Sequence, residues 1–156
     1  MNTFQMLFEE VMSSIEENVW WHISPVKFTK FDITKCGSGM GTSFYGHGIY
    51  FSKSRETCDY YAEQMKDSYG KLYCYEVSVN GNLKSENDKI EVDGRSLGVL
   101  ELYNELVENG LSEKEASQKM VDDYGIDGIT YWSQEDGDSL VVFSDAIIQV
   151  LNVEEV

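Results

Sequence analysis

The side chains with chemistry to offer come in a fixed order along the 156-residue chain. His22-x-Ser24 comes first, and GHGIYFS at Gly46 to Ser52 follows after about twenty residues. Next comes a segment bearing Tyr60-Tyr61-Ala62, then the acids Glu135, Asp136 and Asp138, then a late apolar run, Val141-Val142-Phe143. An imidazole donates to or accepts from a hydroxyl, and tyrosine rings offer faces for stacking. Gly37, Gly39, Gly41, Gly46 and Gly48 favour an irregular loop that brings its backbone close to a ligand. Taken singly these features are weak, because a lone histidine is more often structural and a glycine-rich stretch is usually a surface loop. His47, the only other histidine, reads better as an exposed loop residue than as a pocket lining.

The elements that must position these groups follow from periodicity and punctuation. Phe4, Leu7, Phe8, Val11, Met12, Ile15 and Val19 repeat at helical steps and predict an amphipathic N-terminal helix. Val19 to Ser24 is an apolar run stopped by Pro25, which predicts a buried strand with His22 near its end and with Trp20 and Trp21 locking it into the core. A strand at Ile49 to Phe51 leads to RETCDYYAEQMKD, a predicted helix with Ser54 as N-cap. Lys71 to Val79 alternates as a strand and ends at Asn80-Gly81-Asn82. Helices are predicted at Leu97 to Glu108 and, opened by the capping box Ser112-x-x-Glu115, at Ser112 to Asp123. Lys84 to Arg95, ahead of both helices, is a charged connector. Strands at Ile126 to Trp132, Ser139 to Phe143 and Ile147 to Val153 complete an α+β pattern, with Gln134 to Asp138 as a hairpin turn. With no repeat, low-complexity stretch or linker, residues 1–156 are expected to be one domain in which 1–18 is a helical extension.

The order of parts resembles the ADP-ribosyltransferase superfamily, in its poly(ADP-ribose)-polymerase-like or diphtheria-toxin-like branch with a His-Tyr-Glu signature. FTKFDITKCGSGMGTSFYGHGIYFSKSRETCDYYAE and, downstream, GIDGITYWSQEDGDSLVVFSD are similar to the transferase domains of phage and conjugative-element polyvalent proteins. The resemblance covers roughly Val19 to Asn152. It implies split antiparallel sheets around an NAD cleft, with flanking helices and an added N-terminal helix. It further implies that His22, with Ser24 beside it, bonds the adenosine ribose of NAD⁺, and that the Ile23 backbone holds the nicotinamide amide. Tyr50 and Tyr61 would sandwich the nicotinamide ring, Tyr60 taking the place of Tyr61 if the helix register shifts, and Gly48 and Phe51 would border the same site. NAD is thus the implied co-substrate.

In the family pattern a glutamate at the start of the last active-site strand accepts from the nicotinamide-ribose hydroxyl and stabilises the oxocarbenium-like charge left by nicotinamide. Ser139 stands at that position here. A serine positions the ribose by a hydrogen bond but supplies no charge, so the carboxylate is expected from the turn ahead of it, from Glu135 or Asp136 in preference to Asp138. Such a turn, rich in Asp and Gly, is equally the composition of an ordinary solvated turn.

Composition narrows the partners. Twelve basic against 28 acidic side chains give a net charge of −16, a field that repels nucleic acid and admits a basic protein partner. Cys36, Cys58 and Cys74 are irregularly spaced, which indicates neither a zinc site nor a disulfide framework and suits a reducing compartment. The first residues lack the pattern of a secretory signal and no window nears the ~18 apolar residues of a membrane span, so a cytoplasmic protein is expected, in the host cell if phage-encoded. The expected function is mono-ADP-ribosyl transfer from NAD⁺ to a macromolecular target, a host protein, in a phage or mobile-element protein that counters host defence. Two alternatives stay open: an acidic, non-enzymatic inhibitor of a basic partner such as a nucleic-acid-binding defence protein, and an NAD-binding pseudoenzyme.

Overall fold

The computed structural model describes Thr3, residues 5–7, 18–35 and 46–156. Thr3, Gln5, Met6 and Leu7 are helical, and the rest of the expected N-terminal helix lies outside the described residues apart from Asn18, in a turn, and Val19, which opens the first strand. Most of the glycine-rich loop, residues 36–45, also lies outside them.

Twelve longer elements follow in order: β1 (Val19–Ser24), β2 (Ile49–Ser52), α1 (Arg55–Tyr69), β3 (Tyr73–Val79), β4 (Leu83–Ser85), β5 (Lys89–Val92), β6 (Arg95–Gly98), α2 (Val99–Glu108), α3 (Glu113–Asp122), β7 (Gly128–Ser133), β8 (Gly137–Val142) and β9 (Ile148–Glu155). The fold is α+β, as the pattern of periods indicated. Helix starts follow local chemistry. Ser54 accepts the Glu56 N–H, and Ser112 with Glu115 forms the reciprocal box, so each satisfies amide donors that a first turn leaves without helical partners. Gly70, at φ 75°, ends α1 in a conformation that a side chain would disfavour.

Seven strands form one sheet in the order β4-β7-β8-β2-β1-β3-β9, antiparallel except for the β4–β7 pair. The sheet pinches in the middle. Six register pairs join β1 to β3 and four join β2 to β8, but only Trp21↔Ser52 joins β1 to β2. The two halves therefore diverge just past that pair, where His22 and Tyr50 sit.

The two faces carry separate cores. On one, Trp20, Ile49, Phe51, Tyr75, Val77, Leu140 and Val142 pack beneath Phe28, Phe31 and Ile33 of the segment after β1. Fully burying one such side chain contributes about 1.5–3 kcal/mol. On the other face α1 covers the β1–β3 half through Ala62, Met65, Leu72 and Ile23, while α2 and α3 cover the β7–β8 half through Leu102, Leu106, Met120, Ile129 and Val141. A gap between two helical covers thus lies over the pinch.

The charged connector expected at Lys84 to Arg95 is in fact mostly strand. Lys89–Val92 pairs with Arg95–Gly98 around Asp93-Gly94, both with positive φ, and Leu83–Ser85 adds to β7 in parallel. Leu97, expected to open a helix, belongs to that ribbon, so α2 begins at Val99. No helix of the described residues is long and apolar enough to cross a membrane.

Candidate active site

His22 stands where the halves separate. Its Nδ1 lies 2.7 Å from the Tyr50 carbonyl oxygen, so the side chain ties β1 to β2 beyond their last register pair. The ring is ringed in turn by Phe31, Phe51 and Tyr75, with centroids 5.2, 5.4 and 6.5 Å away. This apolar setting lowers the histidine pKa by desolvation, which outweighs the opposing effect of the Tyr50 bond. A neutral imidazole facing a carbonyl carries its proton on Nδ1, which makes Nε2 an acceptor.

Tyr75 fastens the cover over that histidine. Its buried hydroxyl accepts from the Phe28 N–H at 2.6 Å and donates to the Phe28 carbonyl at 3.0 Å, and the Phe28 ring stacks on it at 4.3 Å. Ser24, also buried, accepts the Val26 N–H at 3.1 Å and shapes the turn out of β1.

Ile23 faces the opposite way, among Ala62, Met65 and Tyr61 of α1. The Asn18 carbonyl bonds toward β3 and the Val19 carbonyl accepts Lys53 Nζ from the β2 side. Alternation then directs the N–H and C=O of Ile23 toward β2, past the last pair that joins the two strands.

Tyr50 points away from Phe51, toward Tyr131 at 6.4 Å, and its hydroxyl donates to the Gly46 carbonyl. The backbone leading into it is clamped. The His47 N–H donates to Tyr103 Oη at 3.1 Å, Ser117 Oγ donates to the His47 carbonyl at 2.6 Å, and a Cβ on Gly48 would stand 2.5 Å from the Val142 oxygen. Gly48 therefore serves the close approach of β2 to β8. Sequence reasoning did not single out Tyr75, Tyr103 or Ser117; apolar placement within strand and helix periods was the only signal they gave.

Tyr61 reaches across the gap. Its hydroxyl donates to the Asp136 carboxylate at 2.5 Å, joining α1 to the β7–β8 turn, and burial together with that carboxylate raises the phenol pKa. Tyr60, one residue before, is 60% exposed and meets Tyr61 edge-on, whereas Tyr61 packs beside Ala62 and Met65. Among the turn acids, Asp136 is half-buried and fixed by its N–H to Ser133 Oγ, whereas Glu135 and Asp138 are exposed. Ser139 is buried, is the register partner of Ser52, and donates to the Gly137 carbonyl at 3.1 Å.

The structure thus brings Ile23, Tyr61 and Asp136 together on the helical face and sets Tyr50 and Ser139 on the adjoining half of that face. His22, Ser24 and Phe51 lie on the other side of the pinch, with His22 joined to Tyr50 through the backbone. An open cavity of about 300 Å³ adjoins the hairpin, lined by Trp20, Lys53, Glu86, Trp132, Asp138 and Ser139, but not by His22, Tyr50 or Tyr61.

No family model and no curated protein sequence matches the chain. Its coordinates are similar to a chain in the crystal structure of the M. tuberculosis MbcT–MbcA toxin–antitoxin complex, with a TM-score of 0.44 and 10% identity, covering 95% of this chain and 92% of that one.

Proposed function

We propose that the chain is an NAD⁺-dependent mono-ADP-ribosyltransferase whose dinucleotide lies along the pinch between the two halves of the sheet. The observation that carries the reading is the Tyr61–Asp136 bond. It supports a carboxylate delivered from the hairpin turn to the face that also holds Ile23 and adjoins Tyr50, in a chain whose strand position offers only Ser139.

The residue types fit the ligand. The main-chain N–H and C=O of Ile23 match the acceptor and donor of the nicotinamide carboxamide. Tyr50 and Tyr61, on either side of the gap, supply its stacking faces, Tyr61 after exchanging its bond to Asp136 for a ring contact. His22, neutral with Nε2 as acceptor, takes a hydrogen bond from a ribose hydroxyl, with Ser24 turning the backbone beside it. In transfer, the bond from the ribose C1′ to the nicotinamide nitrogen breaks, its electron pair leaves with nicotinamide, and a nucleophile of the acceptor closes on C1′. Asp136, accepting from the ribose hydroxyl, stabilises the positive charge that develops between the two events.

The acceptor is proposed to be a protein, and the net charge of −16 favours one with a basic surface over nucleic acid. The three cores share one sheet, which supports reading the chain as one domain; the proposed site of action is the cytoplasm. The engagement of Ser139 Oγ with the Gly137 carbonyl favours a second reading, NAD binding without transfer. Calorimetry with NAD⁺ followed by a nicotinamide-release assay separates them: binding with release supports transfer, binding without release supports the second reading, and no binding rejects both.

A further inference from the structure

The cavity beside the β7–β8 hairpin holds groups that the dinucleotide site leaves unused. Trp132, in β7, is 62% exposed, more than any other large apolar side chain among the described residues. Ile129 and Tyr131 of the same strand pack on the α2–α3 side, so alternation sends Thr130 and Trp132 to the other face of the sheet.

A carboxylate flanks Trp132 on each side. Asp138 is its register partner across the hairpin, which sets the two side chains next to each other on one face. On the β4 side, the Glu86 carboxylate accepts the Trp132 N–H at 2.9 Å, and the Glu86 N–H donates to the Thr130 carbonyl at 2.9 Å. The four salt bridges of the described residues involve neither acid. All three side chains line the open cavity of about 300 Å³. The cation among the lining residues, Lys53, belongs to the far end, next to Trp20 of β1, with β8 and β2 between that strand and β7. Its ammonium bonds the Val19 carbonyl at 3.1 Å and lies 4.8 Å from the centre of the Trp20 ring.

We propose that this cavity recognises an arginine side chain of a basic protein partner, with the guanidinium over the Trp132 indole and between the carboxylates of Glu86 and Asp138. A guanidinium is planar, so it stacks on an aromatic face while its N–H edges stay free for carboxylates, a combination that an ammonium does not match. The volume is at the lower limit of small-molecule pockets, and the open side suits a side chain that projects from a larger body. The net charge of −16 draws a basic partner toward it. None of His22, Tyr50, Tyr61 and Asp136 lines the cavity, so it selects a partner without entering the NAD chemistry and stands apart from the transferase reading.

The test titrates the whole, isotopically labelled chain without NAD⁺. Acetylated, amidated glycine peptides carry arginine, lysine or citrulline at one position, and salt is held at about 0.15 M to screen attraction to distant charges. The indole N–H resonance of Trp132, identified by its loss in Trp132→Phe, is followed. The arginine peptide is expected to shift it to saturation, the lysine peptide to need several-fold more, and citrulline, which lacks the charge, to leave it in place. Glu86→Gln combined with Asp138→Asn keeps an acceptor for the Trp132 N–H and should weaken binding of the arginine peptide on the order of fivefold. Glu63→Gln combined with Asp67→Asn removes the same charge from exposed positions of α1 and should stay within about twofold of the parent. The proposal is overturned if the resonance does not move, if the three peptides move it equally, or if the two double variants weaken binding alike. The peptide series on the parent chain decides even where a variant fails to fold. Absence of nicotinamide release counts against the transferase reading and leaves this site as it is.

Discussion

The hydroxyl of Tyr61 donates to the carboxylate of Asp136, and this single contact bridges two elements that sequence places 75 residues apart. It spans the gap between α1 and the β7–β8 turn, over the place where the sheet is held by one register pair. A carboxylate held there is a part of the fold, and under the proposed transferase reading it is also the charged group that acts on the ribose.

Asp136→Asn keeps the shape of the side chain and removes the charge. Loss of one electrostatic group of this kind lowers turnover by about 10² to 10³. Nicotinamide release is therefore expected to drop by that factor in Asp136→Asn and to stay within about threefold of the parent in Glu135→Gln and Asp138→Asn, since those two side chains are exposed. Equal losses in all three would reassign the role to the acidic turn as a whole.

Tyr61→Phe separates the two uses of that side chain. The ring stays for stacking while the bond to Asp136 goes, so NAD⁺ affinity measured by calorimetry is expected to be unchanged or improved. Tyr61→Ala and Tyr50→Ala remove a stacking face each, and an aromatic pair contributes about 0.5–1.5 kcal/mol beyond burial, so each should weaken binding by roughly two- to twelvefold. Tyr61→Ala binding as tightly as the parent would remove the ring from the site.

How far the sequence could be read depended on the range of the interaction. Ser54, Ser112 and Glu115 announce helix starts because a cap acts within one turn of its own backbone. Asp93-Gly94 carried an equally local turn signal, and its two positive φ angles close the β5–β6 ribbon, but the alternating Lys89, Ile90, Glu91 and Val92 were outweighed by their charge. The pairing of Leu83 with Gly128 had no local signal at all. At the candidate site the residue types were legible, and their sidedness was not. Whether His22 lies beside Phe51 or beside Tyr50 depends on a register between two strands, and a slip of one residue exchanges the faces.

The apolar setting of His22, ringed by Phe31, Phe51 and Tyr75, makes stability depend on pH with a definite sign. Its pKa in the fold is below the 6.5 of an unperturbed histidine, so the unfolded chain takes up the proton first. The contribution of this group is complete above pH 6.5 and is lost as pH falls through that value toward the lower folded pKa. Urea midpoints at about pH 7.5 and about pH 5.5 should show the parent losing more stability than His22→Asn, which keeps a donor for the Tyr50 carbonyl but does not titrate. Identical losses would mean that the ring is solvated.

Gly48 tests whether the close contact of β2 with β8 sets the position of Tyr50. A Cβ there would meet the Val142 oxygen at 2.5 Å and the Val141 side chain at 2.7 Å, and the first of these is backbone that yields only if the strands part. Gly48→Ala is expected to destabilise by about 1–3 kcal/mol, which lowers the thermal midpoint by roughly 3–10 °C in a chain of this size. At Gly98 the nearest atoms to an added Cβ are 3.8 and 3.9 Å away, so Gly98→Ala should stay within about 1 kcal/mol of the parent. Because Tyr50 lies on the four-residue strand that begins directly after Gly48, parting β2 from β8 also displaces its ring. Gly48→Ala is accordingly expected to lose NAD⁺ affinity along with stability, whereas Gly98→Ala keeps both; a Gly48→Ala chain that melts early yet binds NAD⁺ like the parent would show that the ring position is set elsewhere.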